Sequence, residues 1–233
     1  MHDTVFLFDV DNTLLDNDRV QEDLSAYLSR EIGIAARDRY WAIFEELRSR
    51  LGYADYLGAL EHYRAEHLHN PRILRVATWL VDYPFAKRLY PGALAAAAHA
   101  ARVGATVILS DGDAVFQPRK VERSGLWQAF EDHVLIYIHK EQELDNVERH
   151  YPARHYVLID DKIRILATAK KIWRDRVTTV FMRQGRYARD LREVAKYPPA
   201  DIELERIGDF PNLDLSHLVA CAAARRGPDR RKS

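Results

Sequence analysis

Five short apolar runs constrain this chain more than any other feature. They are TVFLFD (4–9), ATVILS (105–110), VLIYI (134–138), YVLID (156–160) and VTTVF (177–181). Each is nearly uninterrupted and rich in Val, Ile, Leu and Phe, the pattern of strands covered on both faces. Helical stretches precede the later runs: ALAAAAHAARV the second, EQELDNVERHY the fourth and IRILATAKKIW the fifth. Strands alternating with helices predict a parallel, Rossmann-like α/β sheet with helices on both faces. DIELERI (201–207) reads as a sixth strand, and a helix is expected around 212–224.

The first interval breaks the rhythm. About 95 residues separate Asp9 from Ala105, where a crossover helix with its loops takes roughly 20–30. RVQEDLSAYLSREIG, RDRYWAIFEELRSRLG and YADYLGALEHYRAEHL carry apolar residues at three- and four-residue steps, as amphipathic helices do. Gly33 and Gly52 stand where two of them should be capped. The predicted organisation is a core of residues 1–15 and 90–225 with an inserted all-helical cap, 16–89. The chain re-enters the core at Pro91–Gly92. A basic tail, 226–233, reads as a frayed terminus.

Composition sets outer bounds. Thirty-five Lys and Arg balance 35 Asp and Glu, so no global field draws the chain to nucleic acid or a membrane surface. Cys221 is the only cysteine, which suits a reducing cytoplasm. The N-terminus lacks the basic start and apolar core of a secretory signal. No apolar stretch nears the roughly 20 residues of a membrane span. The expectation is a cytoplasmic protein; the sequence does not fix its oligomeric state.

Chemistry gathers at the strand ends. Asp9 closes the first run, followed by Asp11 and Thr13. Ser110 closes the second, within LSDGD. Lys140 follows the third, and Asp160 and Asp161 end the fourth. Taken singly, each has an ordinary reading: DVDNT a turn, Ser110 a strand-end hydroxyl, Lys140 a surface lysine, the Asp pair a helix cap. Together they are different, because ligands of an open parallel sheet bind beyond the carboxyl ends of its strands.

In this set and order the residues resemble the haloacid dehalogenase-like superfamily. FLFDVDNTL resembles its first motif, VILSDGD its second, YIHKE its third with Lys140, and VLIDD its fourth; the helical insertion looks like the family's helical cap. Most members are magnesium-dependent phosphatases, and the dehalogenases lack an acid at the position of Asp11. The resemblance therefore implies a phosphate monoester hydrolase acting on a small phosphorylated metabolite, with Mg2+ as cofactor.

The chemistry follows from charge. A phosphate monoester carries about two negative charges, and a carboxylate nucleophile needs a cation to approach it. Asp9 is the expected nucleophile, forming an aspartyl phosphate. Asp11 is the expected acid and then base. Ser110 and Lys140 would hold the phosphoryl group, with Thr13, Asp111 and Gly112 as further phosphate-binding candidates. The expected metal ligands are Asp9, Asp11 (through its carbonyl, by the resemblance), Asp160 and Asp161. Which acid of the 160–161 pair binds directly stays open. So does Asp113, as metal support or helix cap. The arginines of the insertion, Arg37, Arg39, Arg48 and Arg50, are candidates to meet a substrate anion, but the near balance of charge in the insertion favours solvated helix faces. Its aromatics are read as core, with one or two lining a cleft. Two other outcomes fit the same residues: a phosphomutase, and a noncatalytic binding or regulatory protein on this scaffold.

Overall fold

Phe6 and Phe8 pack into one apolar cluster and Val5 and Leu7 into another. This strand, β1 (His2–Phe8), is therefore buried on both faces, as its unbroken apolar run predicts. In the computed structural model, which describes residues 2–215, β1 lies inside a six-stranded sheet. The other strands are β2 (Ala105–Asp111), β3 (Val134–Tyr137), β4 (Ala153–Asp160), β5 (Val177–Met182) and β6 (Ile202–Leu204). Their order is β3-β2-β1-β4-β5-β6, and every neighbouring pair is parallel. The chain steps outward from β1 to β3, then crosses back to lay β4 on the other side of β1. That reversal leaves a crevice beyond the carboxyl ends of β1 and β4.

Four α-helices follow β1 in the long interval before β2, ahead of a fifth that leads into β2: α1 (Asn17–Ile32), α2 (Ile34–Leu51), α3 (Tyr56–Glu66) and α4 (Arg72–Asp82). The first three were expected. The fourth follows the same rule, burying Ile73, Val76 and Leu80 at three- and four-residue steps. Gly52 caps α2 in the left-handed conformation, φ 82°, where a Cβ would also collide with the ring of His139. The insertion thus meets the loop just before Lys140 at a glycine.

One side of the sheet is covered by α5 (Ala93–Ala101), α6 (Phe116–Ser124) and α7 (Leu126–Ala129). Their apolar cluster runs without interruption into the inserted helices through Leu24, Tyr40 and Phe44. The other side is covered by α8 (Leu144–His150) and α9 (Ile163–Trp173). Two short helices, α10 (Gly185–Arg189) and α11 (Leu191–Val194), follow β5. Among the described residues no helix is long and apolar enough to cross a membrane. Of the helix expected over 212–224, only 212–215 is described, where a 3-10 segment, Ile207–Asn212, ends. Cys221 and the tail 226–233 lie outside the described residues.

Candidate active site

Strand register brings the acids together. Phe8 pairs with Ile159, and the Asp9 amide still donates to the Ile159 carbonyl at 2.9 Å. Asp9 therefore leaves β1 beside the Asp160–Asp161 end of β4. The side chains of Asp9, Asp160 and Asp161 are all buried, and each offers an oxygen within 4.8 Å of the others. Three buried carboxylates so close repel one another strongly unless positive charge lies among them.

Lys140, fully buried, supplies one such charge. Its Nζ donates to Asp9 Oδ1 at 2.5 Å and to the Leu109 carbonyl at 3.1 Å, and lies 2.6 Å from Asp160 Oδ2. Burial opposes the ammonium charge, but Asp160, Asp9 and Asp111 outweigh it and raise the Lys140 pKa. One ammonium does not balance the cluster. Burial pushes the Asp160 carboxyl up to about 6 and the Asp161 carboxyl well above its ordinary range. The two acids differ in their partners. Asp160 Oδ1 accepts from the Lys162 amide at 2.8 Å, and its Oδ2 faces Lys140. Neither oxygen of Asp161 has a hydrogen-bond partner, and neither does Asp9 Oδ2. Such an unpartnered, all-oxygen set fits a hard divalent cation.

The turn after β1 shapes the rest. The Val10 carbonyl accepts from the amides of Leu14 and Leu15, both at 2.9 Å. Asn12 adopts φ 61°, a left-handed conformation that Asn tolerates better than most residues. Its Oδ1 accepts from the amides of Asn17 and Asp18 at 3.0 and 3.2 Å, binding the turn to the start of α1. DVDNT is thus both a turn and part of the site. The turn delivers Asp11 to a partner absent from the sequence reading: Lys120 of α6, fully buried, donates to both Asp11 oxygens at 2.7 and 2.8 Å and to Asn17 Oδ1 at 3.1 Å. A signal was present. Lys120 shares the buried stripe of α6 with Phe116, Gln117, Val121 and Ser124, where an unpaired lysine would be costly.

The remaining candidates separate by what already occupies them. Thr13 is buried with an unpartnered hydroxyl. Ser110 Oγ accepts from Gln117 Nε2 at 3.0 Å, while its own proton reaches only the Asp111 carbonyl at 3.5 Å. Its O–H is therefore nearly free for a ligand. Asp111 and Gly112, expected among the phosphate-binding residues, are engaged otherwise. Asp111 Oδ1 accepts the Lys140 amide at 2.7 Å, and the Gly112 amide donates to the Tyr137 carbonyl at 2.9 Å. Both brace the loop that carries Lys140, and a carboxylate so placed would repel a phosphate rather than bind it. Asp113 Oδ1 accepts the amides of Val115 and Phe116 at 2.8 and 2.6 Å, so it caps α6. The Asp11 carboxylate stands apart from the acid triad, held by Lys120.

A cleft of about 400 Å³ opens beside Asp11, between the inserted helices and the sheet. Phe44 and Tyr53 line it from the insertion, as expected of one or two of its aromatics, and Lys162, Arg186 and Tyr187 from the core. Arg48 lines it as well, a correction to the solvated-face reading. That reading holds for Arg37, paired with Asp38, and Arg39, paired with Glu66. Arg48 instead reaches across to the Tyr187 hydroxyl of α10.

Comparisons with known proteins agree with this geometry. The family model described as "Hydrolase: haloacid dehalogenase-like hydrolase" matches residues 4–172. A crystal structure of a haloacid dehalogenase-like hydrolase from Burkholderia xenovorans LB400 is 61% identical, covers 92% of this chain and 100% of its own, and superposes with a TM-score of 0.88. More distant structures share the fold. A haloacid dehalogenase-like family hydrolase from Xanthomonas campestris is 21% identical, covering 96% of this chain and 95% of its own, TM-score 0.64. The L-2-haloacid dehalogenase from Xanthobacter autotrophicus is 19% identical, covering 90% and 97%, TM-score 0.60. No curated protein sequence matches the chain.

Proposed function

The chain belongs to the haloacid dehalogenase-like hydrolases, and on that premise we propose that it hydrolyses phosphate monoesters of small molecules with Mg2+ through a covalent aspartyl phosphate. One observation carries the reading: Asp161, fully buried with both oxygens unpartnered, beside Asp9 and Asp160. That arrangement calls for a divalent cation, and a dianionic phosphate is the substrate that needs one. Asp9 and Asp161 would be the direct ligands in this reading, with the Asp11 carbonyl, and Asp160 would act through water, because its Oδ1 accepts the Lys162 amide and its Oδ2 faces the Lys140 ammonium at 2.6 Å. The cation would offset the repulsion between the Asp9 carboxylate and the phosphate.

The protein groups perform the rest. An Asp9 oxygen attacks phosphorus while the bond to the ester oxygen breaks, and Asp11 gives that oxygen a proton. Asp11 then takes a proton from a water that attacks phosphorus. The Asp9–phosphorus bond breaks, releasing inorganic phosphate and restoring both carboxyls. Ser110 donates its hydroxyl proton to a phosphoryl oxygen, Lys140 offsets charge on Asp9 and the transferred group, and Thr13 offers its free hydroxyl nearby. The test is p-nitrophenyl phosphate hydrolysis with Mg2+ and with chelator. Metal-dependent turnover is expected. Dehalogenation is the second reading, because several proteins of this fold are dehalogenases. Halide release from 2-haloacids without metal-dependent phosphate release would establish it instead.

Lys120 is a positioning residue in this scheme, since it touches Asp11 and not the substrate. Lys120→Met is expected to lower kcat for an alkyl phosphate by about 10–100-fold, up to the low end of what acid–base assistance contributes, because the acid itself remains. The loss should be smaller for p-nitrophenyl phosphate, whose leaving group needs little protonation, and Lys120→Arg should restore part of it. Equal losses for both esters, in step with lost stability, would make Lys120 structural only.

A further inference from the structure

The cleft holds a group of cations that the chemistry above does not use. Arg48 and Arg186 approach it from opposite walls and both donate to one hydroxyl, that of Tyr187; the Arg186 contact is 3.2 Å. Their guanidinium carbons lie 5.4 and 5.1 Å from the Tyr187 ring centre, and Lys162 Nζ lies 5.7 Å from it. Three positive charges surround one neutral phenol. Arg48 uses one nitrogen, Nη1, for the exposed Glu45 at 3.3 and 3.4 Å and the other, Nη2, for Tyr187, while the acids of the other two are farther: Arg186 meets Asp18 at 3.7 Å, and Lys162 meets Asp111 at 3.8 Å.

The acids lining the cleft are held elsewhere. Asp11 is held by Lys120. Asp190 accepts the amides of Arg192 and Glu193, and Glu193 pairs with Lys196. Arg164, the other cation of the lining, is taken by Glu141. Arg48 and Arg186 are thus fixed side by side by Tyr187, with no carboxylate between them. Like charges held together are stabilised by an anion that enters between them, and two planar guanidinium groups suit the paired oxygens of a carboxylate or phosphate.

We propose that Arg48 and Arg186, set by Tyr187, form a subsite for a second anionic group on the substrate, a carboxylate or a further phosphate. This rests on the phosphatase reading and narrows it to monoesters that carry a second anionic group besides the scissile phosphate. The cleft's volume suits a molecule of metabolite size. Arg48 comes from the insertion and Arg186 from the core, so a bound second anion also ties the two together over the site.

Three probes test it: glycerol 3-phosphate, 3-phosphoglycerate and 1,3-propanediol bisphosphate. The wild type should prefer the two esters with a second anionic group over glycerol 3-phosphate by roughly tenfold or more in kcat/KM, the scale of a charge-assisted hydrogen bond. Arg48→Met and Arg186→Met should bring that ratio near one, and Arg48→Lys should keep part of it. The arm that retains the preference identifies the carboxylate or the phosphate as the second group. A wild-type ratio near one, or a ratio unchanged in both Met variants, overturns the subsite. If none of the esters is hydrolysed, the phosphatase reading fails by itself. Calorimetric titration of the same compounds with Mg2+ then decides the subsite: tighter binding of the two probes with a second anionic group, lost in Arg48→Met, upholds it, and equal binding overturns it.

Discussion

Asp9→Asn is expected to lower magnesium-dependent p-nitrophenyl phosphate turnover by roughly four to six powers of ten, the scale of removing a covalent nucleophile. The amide keeps the size of the side chain but loses its charge and one of its oxygens. Asp9 Oδ2, unpartnered among buried acids, and Oδ1, gripped by Lys140, would both be changed. The folded protein should survive the substitution, because it removes one of three mutually repelling buried carboxylates. Its melting temperature should rise less with Mg2+ than that of the wild type, since one ligand of the cation is weakened. Steady-state assays with a thermal melt at several Mg2+ concentrations separate the two effects. A folded Asn variant within about tenfold of wild-type turnover would exclude the covalent route.

Lys140→Met should have the largest effect on stability. Without its ammonium, Asp9 and Asp160 remain buried and lose their cation. Breaking a buried pair from one side costs about 3–5 kcal/mol. At about 2–4 °C per kcal/mol for a chain of this size, the melting temperature should fall by roughly 6–20 °C. Mg2+ should restore part of the loss, because a divalent cation in the same cluster offsets the same carboxylates. Turnover should fall as well. The pH dependence has a definite sign. The surrounding acids raise the Lys140 pKa above its ordinary 10.5. The stability it contributes is therefore fully present below that value and is lost only as pH climbs through the higher folded value. The lysine's own titration therefore adds no slope to the gap between wild type and Lys140→Met from about pH 7 to 9; the gap should widen with rising pH only through the buried Asp160 and Asp161 carboxyls, which burial already raises and which lose the ammonium that lowers them. Thermal melts in chelator and in Mg2+ measure all of this, and a loss under about 1 kcal/mol would show that the pair is not the brace described here.

The sequence alone determined the sheet and where its chemistry lies. Unbroken Val, Ile, Leu and Phe runs have to be buried on both faces, so they specify a parallel sheet, and Asp9, Ser110, Lys140, Asp160 and Asp161 are legible because each follows such a run. Helical periodicity likewise announced four of the five α-helices before β2, all but Arg72–Asp82. Tertiary structure decided the rest, because it concerned partners distant in sequence. Asp161 and Asp160 look alike in the sequence, and only the placement of Lys140 and the Lys162 amide leaves one of them unpartnered. Lys120 reads as an ordinary helical lysine until the turn after β1 carries Asp11 to it from 109 residues away. Arg48 looks solvated until the fold sets it on Tyr187 of α10, 139 residues further along the chain. Periodicity records which residues are buried; which charges meet there depends on how the helices and strand ends are packed.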